Sequence, residues 1–380
     1  MDRKQVLFLT GSLNVGGTER NILHLATRLD PERFDIEVWS DYEGEPLQRE
    51  LQAQGVTCRV LKGAPSLGKP WPVRLFRHNL PYQWRLFRLL RSRRRAVVHA
   101  FGFPMAYYAT LLGRLAGCRR IFFAVQDWDV WKKSWVYRLL DRIISRLAWR
   151  VIADGEGARR LAIEKQGMKA EKLITIYDGV NTEELTVESE PRATRERIGL
   201  EADRPVAGVV ARLDLAKKAQ DVFLAAIPGI AKAHPGAQFL LVGDGPDRER
   251  IEQMIADLPE GKRPVMAGSR SDLADVLAAL DVLVICSRWE SVPKVLLEAM
   301  WLERPIVATR VGDIAEVLDA SCGRLVSPDE PDALAAAVCD LLADPADAQR
   351  LGRRAKERII ERRLTLEDSV KQYEALYSEA

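Results

Sequence analysis

Thirteen short runs rich in Val, Ile, Leu and Ala recur along this chain, and helical stretches separate most of them. In the first half they are Val6–Thr10, Phe34–Trp39, Val56–Leu61, Val97–Ala100, Ile121–Val125, Arg150–Ala153 and Leu173–Ile176. In the second half they are Val206–Val210, Gln238–Val242, Pro264–Ala267, Val282–Ile285, Pro305–Ala308 and Arg324–Val326. Several are continuously apolar, as parallel strands buried on both faces must be. Strand–helix–strand alternation implies parallel sheets with crossover helices. Thirteen strands are too many for one ordinary sheet, and 380 residues predict about two domains. The expectation is α/β: two doubly wound, Rossmann-like domains facing each other across a cleft. We place them at 1–182 and 183–364, with a helix at about 365–380 packing back on the first. The polar stretch 182–205, with Pro191 and Pro205, marks the break.

Composition narrows the class. Hydrophobic residues are 47% and charged residues 29%, which excludes a disordered chain. Cys58, Cys118, Cys286, Cys322 and Cys339 include no CxxC spacing, so a zinc ribbon or disulfide scaffold is not expected and a reducing compartment is. The apolar start, Val6–Leu9, is too short for a signal-peptide core and reads as a strand. No apolar run is long enough to span a bilayer.

The net charge of +3 hides an asymmetry. Residues 1–150 hold 26 basic and 13 acidic side chains, a balance of +13; residues 151–380 hold 31 and 41, a balance of −10. Leu51 to Gln126 contains 14 basic residues and no acidic one. Such a split points to an anionic partner, nucleic acid or membrane.

Three loops carry chemistry. Thr10 to Glu19 links the first strand to a helix expected over Thr18–Leu29. Gly16 and Gly17 let the backbone approach a ligand, and the helix start offers N–H groups to an anion. An ordinary Gly-rich turn is the alternative. Arg212 and Lys217 emerge after Val206–Val210, where a diphosphate would need cations; two solvated charges are the alternative. Glu290 and Glu298 follow Val282–Ile285, with Pro293 suited to the first helical position. Two carboxylates flanking the N–H groups of Val295 and Leu296 suit a ligand with hydroxyls at both ends and phosphates between. Two solvated glutamates are the alternative.

Taken in order, these loops resemble the retaining family 4 glycosyltransferases, which have the GT-B fold, and the resemblance covers essentially the whole chain. Gly16-Gly17-Thr18-Glu19 resembles that family's GGxE loop, and Asp178-Gly179-Val180-Asn181 its N-G-V-D turn with Asp and Asn exchanged. Arg212-Leu213 followed by Lys217 resembles R-L-x-x-x-K-G, with Lys218 where Gly is usual. Val242-Gly243-Asp-Gly-Pro246, Gly268-Ser269-Arg270 and Asp272-Leu273 resemble the loops around the base. Glu290 to Met300, Pro305 to Thr309 and Val311-Gly312-Asp313 resemble the E-x7-E, PVVAT and VGG blocks.

The resemblance implies roles. Arg212 and Lys217 neutralise the donor diphosphate as the nucleotide leaves. Glu290 and Ser291 meet the donor sugar, and Glu298 holds the ribose. Backbone at Gly16, Gly17, Val295 and Leu296 cradles phosphates and sugar, Gly243 lies in a base loop, and Arg270 presents its backbone to the base. No cofactor and no metal ion is implied. The nucleotide is implied to be UDP, with GDP open. Where many members carry a His after the strand at Ile121–Val125, this chain has Gln126-Asp127. These two are candidates for the reacting sugar or the acceptor, Asp127 as a catalytic group or else a helix cap. His99, at the end of another strand, is a further candidate for substrate.

The basic half then suits an acceptor at a membrane. A helix over Trp84–Arg95 would place Trp84, Leu86, Phe87, Leu89 and Leu90 on one arc and Arg85, Arg88 and Arg91 on another. A helix over Trp128–Arg150 would bury Leu139, Leu140, Ile143, Ile144 and Leu147. Trp128, Trp131, Trp135, Arg138, Arg142 and Arg146 would form a separate stripe. The expected partners are a nucleotide-sugar donor, a glycan or lipid-linked acceptor and an anionic membrane surface, with no nucleic acid. The expected location is cytoplasmic, peripheral at the inner face of the membrane. A nucleotide-sugar epimerase and a non-catalytic nucleotide-sugar or membrane-binding module are the rival functions.

Overall fold

The computed structural model describes residues 3–14, 16–62, 80–125 and 135–380. The chain divides into two compact units, Met1–Asp178 with Glu367–Ala380, and Gly179–Leu366. The first runs β1 (Lys4–Thr10), α1 (Gly17–Arg28), β2 (Phe34–Ser40), α2 (Pro46–Ala53), β3 (Thr57–Val60), α3 (Leu80–Ser92), β4 (Val97–Phe101), α4 (Met105–Ala116), β5 (Ile121–Val125), α5 (Trp135–Leu147), β6 (Arg150–Ala153), α6 (Glu156–Glu164) and β7 (Leu173–Thr175). The second runs α7 (Pro191–Arg197), β8 (Val206–Val210), α8 (Leu215–Lys218), α9 (Gln220–Ala233), β9 (Gln238–Val242), α10 (Arg248–Ala256), β10 (Val265–Met266), α11 (Leu273–Ala278), β11 (Val282–Ile285), α12 (Lys294–Trp301), β12 (Ile306–Thr309), α13 (Ile314–Val317), β13 (Arg324–Val326), α14 (Pro331–Ala343) and α15 (Pro345–Glu361). Helix α16 (Leu366–Glu379) then returns to the first unit.

Each expected strand is present within two residues of its expected ends. The first sheet has the order β3-β2-β1-β4-β5-β6-β7 and the second β10-β9-β8-β11-β12-β13, every pair parallel. The continuous runs do what parallel strands between helical layers require: β4, β11 and β12 are buried along their whole length. The strand order reverses between β1 and β4 in one sheet and between β8 and β11 in the other. In doubly wound sheets, ligands bind beyond the carboxyl ends of strands at such switch points. The loops after β1, β8 and β11 are the ones whose residues suggested chemistry.

Helix α16 is pinned to the first sheet at several points. Lys4 Nζ donates to the carbonyls of Tyr377, Ser378 and Ala380 at 3.0, 2.9 and 2.8 Å, capping the helix end with a cation. Arg33 pairs with Glu374 at 3.1 Å. Tyr373 and Tyr377 are buried among the aromatic residues of β1, β4 and β5.

Helix α5 buries a face that differs in part from the one expected. In α5 the inward residues are Asp141, Ile144 and Ser145; Leu139 and Ile143, expected inside, are exposed at 48% and 38%, while Trp135 is 70% exposed, as expected of the outer stripe. The inner face is partly polar because Asp141 accepts a hydrogen bond from the buried Tyr107 hydroxyl of α4. In α3, Tyr82, Leu86 and Leu90 point inward, and Trp84 is 60% exposed, stacked on Phe87.

Candidate active site

The best-defined constellation lies in the second unit, where the loops after β8 and β11 are tied together. After β8, Asp214 accepts from Lys217 N–H at 3.0 Å and starts the short α8. Leu215 N–H donates to Asp247 at 2.7 Å. After β11, Cys286 Sγ donates to the Lys218 carbonyl at 3.2 Å and Arg288 N–H to the Lys217 carbonyl at 2.8 Å. The Arg288 guanidinium also holds Asp221 and Asp329, each at 2.7 Å. From the other side, Thr309 donates to the Ser287 carbonyl at 2.6 Å. The Ser287–Pro293 loop is therefore fixed by neighbours on both flanks.

Glu290 sits inside this frame at 4% exposure. Its Oε1 accepts from Ser287 Oγ at 2.9 Å and is ion-paired with Lys218 Nζ, while Lys217 Nζ lies 3.9 Å from Oε2. A nearly buried carboxylate needs such partners. Arg212 is exposed and makes no side-chain hydrogen bond or ion pair among the described residues, so its charge is available to an anion.

The two lysines after Arg212 stand differently toward Glu290. Lys218 stands where the resemblance has Gly, and the positive φ lies at the next residue, Ala219 (53°). The lysine that precedes the left-handed residue, and that reaches Glu290 most closely, is Lys218.

Glycines close the adjoining loop. Gly243 has φ 132°, and a Cβ there would lie 2.0 Å from the Ala211 carbonyl oxygen; at Gly245 it would lie 2.2 Å from that of Leu213. The strand-end loops can lie backbone to backbone only with glycine at both positions. Arg270 forms a two-pronged pair with Asp272 at 2.7 and 2.6 Å, which holds the Asp272 carboxyl below its usual range and occupies the guanidinium. On α12, Pro293 takes the N-cap position rather than the first helical one. Leu296 N–H donates to Pro293 O at 3.0 Å, whereas Val295 N–H has no partner among the described residues. Ser291 and Glu298 are both partly exposed, Glu298 with hydrogen-bonding or charged neighbours of its own.

In the first unit, Gly16 caps α1 in an extended conformation, with no side-chain cap. Gly17 has open space where a Cβ would be. Asp178, in the turn after β7, accepts from Asn21 of α1 at 2.7 Å. Gln126 and Asp127, with Trp128 and Trp131, lie outside the described residues.

His99 is corrected to a packing role. It is fully buried among Phe8, Phe101, Phe122, Tyr373 and Tyr377, with Nδ1 2.6 Å from the Tyr377 hydroxyl, and burial pushes its pKa down to about 3. An imidazole with no exposed surface offers nothing to substrate.

Asp41, at the end of β2, escaped sequence reasoning. Burial pushes its carboxyl up to about 7; a 2.8 Å hydrogen bond from Tyr82 opposes that rise, and Glu45 adds to it. Glu45 itself accepts from Ser12 Oγ at 2.7 Å in the loop after β1. Only the tertiary fold brings these groups together, and no sequence pattern marks them.

Comparison with known proteins agrees with this architecture. The model of Glycosyltransferase Family 4 matches residues 15–184, and that of Glycosyl transferases group 1 matches 204–344. A GDP-mannose-dependent alpha-(1-6)-phosphatidylinositol monomannoside mannosyltransferase of Mycolicibacterium smegmatis is 33% identical over 253 residues, 63% of this chain and 65% of the relative. N-acetyl-alpha-D-glucosaminyl L-malate synthase of Bacillus anthracis is 29% identical over 53% of this chain and 52% of its own length. The chain thus spans less than two thirds of either relative. The crystal structure of Anabaena HepE in complex with UDP superposes with a TM-score of 0.83 at 22% identity, covering 99% of this chain and 100% of that one. The two family models thus lie end to end, a family 4 glycosyltransferase domain over the first unit and a glycosyl transferases group 1 domain over the second, and the chain has the GT-B fold.

Proposed function

We propose that the protein transfers a sugar, with retention of configuration, from a nucleotide-diphosphate sugar to a lipid-linked or saccharide acceptor at an anionic membrane surface. The observation that carries the donor half is Glu290, nearly buried and bracketed by Lys218 and Lys217, with Arg212 unpaired among the described residues on the same strand-end loops. Arg212, Lys217 and Lys218 face the diphosphate and stabilise the charge that develops as the nucleotide leaves. Glu290 accepts hydrogen bonds from donor-sugar hydroxyls, with Ser291 beside it. Glu298 holds the ribose, Val295 N–H and the Gly16–Gly17 backbone meet phosphate or sugar, and the Gly243 and Arg270 loops surround the base. These cations take the part a divalent metal plays in other transferases, so no metal is needed. UDP is the nucleotide we favour, supported by the resemblance and by the UDP bound in the Anabaena structure.

The acceptor half rests on the outer faces of α3 and α5. Both helices pack on α4, and they expose Leu80, Trp84, Trp135, Leu139 and Ile143 beside Arg85, Arg88, Arg138, Arg142 and Arg146. Tryptophan and aliphatic side chains next to arginine suit the boundary between water and anionic lipid. The phosphatidylinositol acceptor in the mycobacterial relative's name supports the same reading. Among the described residues no helix is long and apolar enough to cross a membrane. The five cysteines are free thiols, in keeping with a cytoplasmic location.

The experiment is paired. Glu290→Ala should lower transfer by at least about a hundredfold, as loss of a group acting on the transition state does, with UDP affinity nearly unchanged. Glu298→Ala should instead weaken UDP binding in calorimetric titration. A reversed pattern refutes the assignment, and release of an epimerised free sugar in place of transfer would favour an epimerase.

A further inference from the structure

The first unit contains a second basic feature, separate from the donor loops. An open cavity of about 720 Å³ lies between the edge of the sheet and α3, lined by Trp39 of β2, Arg59 of β3, Lys62 just beyond it, and Arg85, Arg88 and Arg93. One carboxylate, Glu37, answers these five cations; it pairs with Arg59 at 2.6 Å and Arg93 at 3.4 Å. Arg85 donates to the Lys62 carbonyl, 2.6 Å away, which holds the helix to the strand end and aligns two of the charges. Lys62 and Arg88 have no acidic partner among the described residues. The indole N–H of Trp39, on the same wall, is a buried donor with no hydrogen-bond partner among them.

A cavity with surplus charge of this sign and unused donors fits phosphate oxygens. The neighbouring surface says what carries the phosphate. Leu80, Trp84 and Arg88 lie four residues apart on one row of α3, and the first two are 66% and 60% exposed. A soluble anion has no use for that apolar extension, whereas a lipid places acyl chains beside its headgroup. We infer that this groove binds the phosphate of an anionic lipid headgroup and so fixes the enzyme's orientation on the membrane; the inference rests on the membrane part of the reading above.

The test compares two pairs of neutralised arginines in co-sedimentation with phosphatidylcholine vesicles containing phosphatidylglycerol. Arg85→Gln with Arg88→Gln should lower retention about tenfold or more, since each cation near an anionic surface contributes substantially to binding. Arg119→Gln with Arg120→Gln, two exposed arginines elsewhere on the same unit, should change it less than about threefold for the same loss of charge. Equal losses in the two pairs would show diffuse attraction and overturn the groove. Binding of inorganic diphosphate that Arg85→Gln with Arg88→Gln abolishes, without loss of vesicle retention, would overturn the lipid as its source. UDP affinity should be the same in all variants, which separates a groove effect from misfolding. Failure of the unaltered protein to bind these vesicles at any salt concentration would remove the membrane reading itself, leaving the donor assignment standing.

Discussion

Lys218 shows what a short motif leaves open. The residue types after β8 announced a cationic loop, but the register depended on which residue adopts a left-handed backbone. Glycine normally marks that position, and here Ala219 occupies it, so nothing in the sequence flagged it. Glu290 was legible for the opposite reason: strand, loop and helix start are all encoded locally around it. Asp41 was not legible at all, because its environment comes from Tyr82 and Glu45, which lie on separate elements. Its raised pKa has a thermodynamic consequence. The folded state favours the protonated carboxyl, so the stability it contributes is fully present below about 3.8 and is lost as pH rises to about 7. Asp41→Asn should therefore flatten the decline in stability over that window, read by urea melts at a series of pH values. An unchanged pH slope would mean that Asp41 ionises normally.

At the scale of elements, the strands were readable and the helix faces only in part. A strand buried on both sides is apolar at every position and needs no phase, so β8 and β11 announced themselves. A helix must be assigned a face, and the assumption that aliphatic residues turn inward fails where a helix uses them outside. Helix α5 turns Leu139 and Ile143 outward and buries Asp141, which periodicity alone would place in water. Helix α16 illustrates a different limit, because its docking depends on contacts with the other end of the chain. The Tyr377 hydroxyl and His99 Nδ1 meet 2.6 Å apart in a fully buried aromatic cluster, and His99 Nε2 has no partner among the described residues. Tyr377→Phe removes the hydrogen bond with little change in shape. It should destabilise the protein by about 1–2 kcal/mol in denaturant unfolding, because a buried ring nitrogen is left unsatisfied. A neutral result would show that the ring packing alone holds α16.

At the scale of the molecule, the charge asymmetry of the sequence corresponds to two units with different chemistry. The first carries the basic groove and the exposed Trp–Arg helix faces, and the second a compact cationic cluster around Glu290. Both sheets reverse order beside the loops that carry the candidate residues, the place where doubly wound sheets bind their ligands. The central claim is that the β8 and β11 loops hold a nucleotide-diphosphate sugar through Arg212, Lys218 and Glu290 without a metal ion. Thermal unfolding with a panel of nucleotide sugars in the presence of a chelator tests it directly, because a ligand bound to the native state stabilises it by mass action. One nucleotide sugar, a UDP sugar by this account, should raise the midpoint by about 2–4 °C when near-saturating. Lys218→Ala should abolish that rise, and Lys217→Ala should leave most of it. The account is contradicted if no nucleotide sugar shifts the midpoint, if the shift requires a divalent cation, or if Lys218→Ala leaves it intact.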